Sequence, residues 1–123
     1  MISILAVALG GAIGAVARYA IARIPFLSHH DFPWMTLTAN VLGAIIIGVI
    51  AGLMLDHPKL TPTQVAFLKT GFCGALTTFS TFSLESFELI QTGKYFIAGS
   101  YLVLSIVLCL GGVFLGRFLV TQC

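Results

Sequence analysis

Four apolar stretches, at residues 2–22, 34–55, 65–90 and 95–120, take up almost the whole of this 123-residue chain. Each reaches the roughly 20 residues that a helix needs to cross the hydrocarbon of a bilayer. The connections between them, at residues 23–33, 56–64 and 91–94, are too short to hold an active site outside the membrane. Hydrophobic residues at 59%, charged residues at 8% and a mean hydropathy of +1.08 place the chain far from soluble domains. The reading is an all-α membrane protein: one four-helix transmembrane domain over residues 1–123, multi-pass in the cell (plasma or inner) membrane, working within the lipid bilayer. A cleaved signal peptide competes for the first stretch. No positive segment precedes Ile2, however, and the run is longer than a usual signal core, so it is read as a retained helix.

Charge placement gives no preferred orientation. With four crossings, Lys59, Lys69 and Arg117 share one side, and Arg18, Arg23 and Lys94 share the other. Three against three leaves no positive-inside bias, and copies inserted in opposite senses would form an antiparallel pair. A small difference in the depth of Arg18 and Lys69 would instead select one orientation.

Residues 70–83 are the unusual part. They sit inside the third apolar stretch, yet carry six hydroxyl side chains, two glycines and no charge. Gly71 and Gly74 lower helix propensity, and Thr77 and Thr78 offer side chains that bond to backbone carbonyls, so an interruption is expected near residues 74–78. A broken helix at membrane depth bares backbone dipoles, which only protein or a wet cavity can receive. Thr77, Ser80, Thr81, Glu85 and Glu88 then fall on one helical stripe, with Phe79 and Phe82 on a neighbouring face. Hydroxyl groups donate to anions, and the edge of a phenyl ring is the positive part of its quadrupole. Such a row would pass an anion along. The plainer account is that Ser and Thr bond to their own or a neighbouring helix, as they often do in membranes.

Other positions carry similar alternatives. Gly10 and Gly14, four apart, allow another helix close approach. Arg18 either snorkels to the interface or forms an electropositive vestibule. His29-His30-Asp31 invites a metal site, but no second ligand cluster follows. Trp34 suits an interfacial belt. Asn40 lies at hydrocarbon depth and must bond across helices or line a wet path, the latter being preferred here. Gly43, Gly48 and Gly52, and later Gly111, Gly112 and Gly116, are read as close-packing positions. Glu85 or Glu88 is expected to pair with Arg18 or a lysine. Tyr101 and Ser105 share a face and would extend the hydroxyl row if that face meets the third span. Cys73, Cys109 and Cys123 make no disulfide framework or zinc spacing and are read as packing residues.

Gly10-Gly11-Ala12-Ile13-Gly14-Ala15 with Arg18-Tyr19, the lone Asn40, and residues 74–82 in the order Gly-Ala-Leu-Thr-Thr-Phe-Ser-Thr-Phe closely resemble the Fluc (CrcB) fluoride channels of microorganisms, over essentially the whole chain. The Thr-Thr-Phe-Ser-Thr-Phe run is the specific part. The resemblance implies a dual-topology antiparallel homodimer with a broken third helix and two fluoride pores along the subunit interface. It implies that backbone carbonyls of Gly74 and Thr77 from both subunits hold a central sodium ion, and that Phe79 and Phe82 form the aromatic box with Asn40. Ser80, Thr81, Tyr101 and Ser105 would supply the polar track, and Arg18 the vestibule. The chain departs from the family at Ala75, where Gly is common, which bears on the backbone of the break. The expected partners are fluoride, lipid and a second copy of the chain, with no nucleic acid, and the expected function is passive fluoride export that relieves fluoride toxicity.

The competing functions are a proton-coupled anion exporter, a dual-topology exporter of small cationic molecules, and an assembly subunit without transport. The cation exporter would need a carboxylate in the first span, which has none. An enzyme is not expected, since no paired catalytic groups lie inside the spans.

Overall fold

The computed structural model describes residues 1–28, 30–56 and 60–122. Three helices, α1 (Ile2–Ala22), α3 (Trp34–Asp56) and α7 (Tyr95–Thr121), are each long and apolar enough to cross a membrane. A single turn, α2 (Pro25–Ser28), links the first two. The third apolar stretch does not form one helix. It begins with α4 (Pro62–Val65), continues through a π-helical segment (Ala66–Cys73) into α5 (Gly74–Leu76), stops, and resumes as α6 (Phe79–Gln91). The interruption falls inside the interval expected from the sequence.

The start of this arm lies before the hydrophobic boundary, for a local reason. The Thr61 hydroxyl accepts from the Gln64 N–H at 3.2 Å, and Gln64 Oε1 accepts from the Thr61 N–H at 2.9 Å. Pro62 occupies the first turn, where a missing N–H costs nothing. This capping box lets a polar turn precede the apolar run. The far end of α6 closes on Gly93, whose φ of 79° is the left-handed conformation glycine favours. The Gly93 N–H bonds the Ile90 carbonyl at 3.1 Å and the Lys94 N–H bonds the Leu89 carbonyl at 2.8 Å, turning the chain into α7.

Two side-by-side pairs make the body of the fold, each running in one direction. α1 lies against the 62–76 arm, and a Cβ at Gly10 or Gly14 would collide with the backbone of Phe67 or Phe72. α3 lies against α7, where a Cβ at Gly48 would strike the Val113 carbonyl and one at Gly116 the Ile45 carbonyl. Backbones this close gain dispersion contacts that lipid cannot match, which holds helices together where no hydrophobic drive exists. Gly111 does not take part: nothing lies within 4 Å of its absent side chain, contrary to expectation. Ion pairs mark opposite ends of the α3–α7 pair, with Lys94 to Asp31 at 3.0 Å and Arg117 to Asp56 at 3.1 Å. Leu9, Ile13 and Val16 on α1 and Val107, Phe114 and Phe118 on α7 are exposed, as suits a lipid-facing surface.

Candidate functional site

The break is two residues long. Thr77 (φ −86°, ψ 156°) and Thr78 (φ −151°, ψ 117°) are extended between two helical arms. What holds them extended is Asn40 of α3. Its Oδ1 accepts from the Thr78 N–H at 2.8 Å, and its Nδ2 donates to the Thr78 carbonyl at 3.2 Å. The Asn40 amide thus pairs with both polar groups of Thr78, as a neighbouring strand would, and offsets the cost of baring them. Of the two alternatives for Asn40, the bond across helices is present, and the side chain also lines the larger of the two grooves described below. One N–H of Nδ2 remains for a ligand.

These bonds free two carbonyls. A continuous helix would satisfy the Gly74 carbonyl with the Thr78 N–H, but that donor goes to Asn40. It would satisfy the Thr77 carbonyl with the Thr81 N–H, but that donor goes to the Thr78 hydroxyl at 3.2 Å, which caps α6. The Thr77 carbonyl shares a planar trans peptide with the Thr78 N–H, so fixing one toward α3 points the other away. The Thr77 hydroxyl donates to the Cys73 carbonyl at 2.8 Å and does not compete for these oxygens. Hard carbonyl oxygens of this kind suit a small cation, whereas the described residues contain no cluster of three or more His, Cys, Asp or Glu that could hold a metal. Ala75 lies within α5, and Gly93 alone has positive φ among the described residues, so the break makes no demand for glycine at 75. The same interruption presents the N-terminal end of α6, where unpaired N–H groups and the helix dipole favour an anion.

Two grooves meet at Thr78. The larger, about 580 Å³, is lined by Asn40, Gly74, Thr77, Phe79, Phe82 and Ser105, among others. Phe79 is 79% exposed along it, and its ring centroid lies 5.7 Å from that of Phe82. Ser105 is 6% exposed, and its hydroxyl has no hydrogen-bond partner. Cys73 and Cys109 are free and border the same groove. The smaller groove, about 390 Å³, gathers Arg18, Thr36, Thr78, Thr81 and Glu85. Thr78 Oγ1 donates to Thr81 Oγ1 at 3.1 Å and lies 3.4 Å from Ser80 Oγ. Ser80 is exposed and lines neither groove. The stripe expected to run from Thr77 to Glu88 is therefore divided, because the break rotates Thr77 away from the face of α6.

The face of α7 that carries Tyr101 meets α6, as the row required. Tyr101 is fully buried, its ring set edge-on to Phe82 at 5.0 Å, and its hydroxyl donates to Glu85 Oε2 at 2.7 Å. Thr36 donates to Glu85 Oε1 at 2.6 Å. Glu85 is held by two hydroxyl groups, and neither it nor Glu88 forms an ion pair with Arg18 or a lysine among the described residues, which corrects that expectation. The His29 half of the His pair lies outside the described residues, as do Lys59 and Cys123. Asp31 is engaged with Lys94. Sequence reasoning missed Thr36 and the central place of Thr78. The signal for Thr78 was present, as a threonine immediately before a helical run is a standard cap.

Fold and site define the class: an all-helical membrane protein whose interrupted helix opens onto a polar, phenyl-edged groove. The chain belongs to the CrcB family, whose model (CrcB-like protein, Camphor Resistance) matches residues 5–117. Similar proteins include fluoride-specific ion channel FluC 1 of Nitrobacter hamburgensis, 47% identical over 115 residues, covering 92% of this chain and 90% of the relative. Fluoride-specific ion channel FluC of Thermococcus kodakarensis is 42% identical over 115 residues, covering 94% and 93%. The protein of the same description from Leptospira interrogans is 40% identical over 119 residues, covering 96% and 94%.

Proposed function

We propose that the chain is one subunit of a passive fluoride channel, which lets fluoride leave the cell down its electrochemical gradient. In this reading residues 62–91 form a third, interrupted crossing of the plasma (inner) membrane beside α1, α3 and α7. Two copies in opposite orientations close the large groove of each against the other, giving two pores. The balanced basic residues support dual topology, and the open groove and exposed Phe79 support a partner copy.

The observation that carries the reading is the unpaired Ser105 hydroxyl in a groove edged by Phe79 and Phe82. A buried hydroxyl without a partner is costly, and an anion relieves it. Fluoride holds its water tightly, so a path must replace that water with donors. The Ser105 O–H, the free N–H of Asn40 and the ring edges are such donors. Arg18 raises the potential for anions at the smaller groove, where Thr78 and Thr81 offer hydroxyls and Tyr101 orders Glu85, while Ser80 stands outside it with its hydroxyl 3.4 Å from that of Thr78. The carbonyls of Gly74 and Thr77, with their counterparts from the second copy, are the groups that would hold a sodium ion. Bound there it would supply positive potential beside the anion path.

Efflux from proteoliposomes, followed with a fluoride electrode, tests this. Phe79→Ile or Phe82→Ile is expected to cut fluoride flux while the dimer survives, and unchanged flux in both removes the rings from the mechanism. A second reading, proton-coupled fluoride export, draws on Glu85, a half-buried carboxylate on two hydroxyl donors. The channel reading expects flux at pore-like rates without a proton gradient; strict dependence on that gradient, abolished in Glu85→Gln, would favour the exchanger.

A further inference from the structure

We propose that Gly43 is a positioning residue for the Thr77 carbonyl, acting through the empty volume it leaves on α3. The proposal rests on the reading that the Gly74 and Thr77 carbonyls hold a cation. Gly43 is buried, three residues past Asn40 and so on the same side of the helix. A Cβ at Gly43 would overlap Cγ2 of Thr77 and stand 3.6 Å from Thr77 Cβ and 3.8 Å from Leu76 Cδ2.

Thr77 has no cheap way to yield. Its β-branched side chain is stiff about χ1, and its hydroxyl is tied to the Cys73 carbonyl at 2.8 Å. Its own N–H bonds the same carbonyl at 3.0 Å. A methyl at position 43 must therefore displace the residue as a unit, peptide included. Asn40 meanwhile holds the Thr78 N–H, the other end of that peptide plane. α3 thus grips the break at two points, by hydrogen bonds at Asn40 and by the absence of a side chain at Gly43. Between them they set where the Thr77 carbonyl points.

The test is a size exchange. Thr77→Ser removes Cγ2 and keeps the hydroxyl that bonds Cys73, making room for the Cβ of Gly43→Ala. The purified dimer is titrated with sodium against N-methylglucamine, reading the melting temperature and, in proteoliposomes, fluoride efflux. Gly43→Ala is expected to raise the sodium concentration at half-effect by about tenfold or more, the factor given by ~1.4 kcal/mol of lost affinity. The double variant is expected to return to the midpoint of Thr77→Ser alone. If Gly43→Ala does not fold, recovery of a folded, sodium-responsive protein in the double variant is the same rescue. An unshifted midpoint in Gly43→Ala, or a double variant no better than Gly43→Ala, overturns the role of Gly43 while leaving the cation site standing. A wild-type protein indifferent to sodium overturns the cation reading and this inference with it.

Discussion

Replacing Asn40 with leucine removes both hydrogen bonds that hold Thr78 out of the helix. The two side chains have the same number of heavy atoms and the same branching, although leucine is bulkier, so the main change is the loss of polarity. Each backbone group left unpaired and buried costs about 1–3 kcal/mol, so the two together cost about 2–6 kcal/mol if the break keeps its shape. The chain has one escape: the Thr78 N–H swings back to the Gly74 carbonyl and extends α5 by a residue. That recovers part of the loss but consumes one of the carbonyls proposed to hold a cation and turns Phe79 off the groove. Stability and transport should therefore fall together, whichever route the chain takes. Asn40→Asp keeps an acceptor for the N–H but sets a carboxylate oxygen against the Thr78 carbonyl, and should be no better. The assay is thermal unfolding in detergent micelles beside fluoride efflux from proteoliposomes. An Asn40→Leu protein that melts with wild type and conducts at the wild-type rate would refute the claim that this amide builds the break.

Ser105→Ala should separate what Asn40→Leu couples. Deleting a buried hydroxyl that has no partner leaves no protein group unsatisfied, so the melting temperature should stay level or rise, by the equivalent of about 1 kcal/mol at most, while fluoride efflux falls. A large loss of stability would mean that the hydroxyl has a protein partner after all. Gly116→Ala should cost about 1–3 kcal/mol or more, because its Cβ would meet the Ile45 backbone and force α3 from α7. Gly111→Ala should be near neutral within a subunit, since nothing lies within 4 Å of that position; unfolding of both in detergent checks the contrast.

Much of this was legible from residue order. Apolar run length placed α1, α3 and α7 to within a residue at either end, because a lone helix in lipid must satisfy its backbone internally and hydropathy alone marks its limits. The spacing of Gly10 and Gly14 pointed to a close helix contact, and the hydroxyl-rich stretch pointed to a break. The start at Pro62 was missed because the capping box is polar and hydropathy does not see it. The division of the hydroxyl stripe was missed because helical spacing was carried across residues that are not helical.

Residue order settles the parts: membrane class, apolar helices, and a point in the third stretch where helix is weak. Which polar groups meet is a different matter, because partners such as Asn40 and Thr78, or Tyr101 and Glu85, lie on different helices and are joined only when glycine contacts bring the helices together. The same assembly directs the Thr77 carbonyl. Its orientation follows from a peptide plane held by another helix, and no local pattern of residues carries that information.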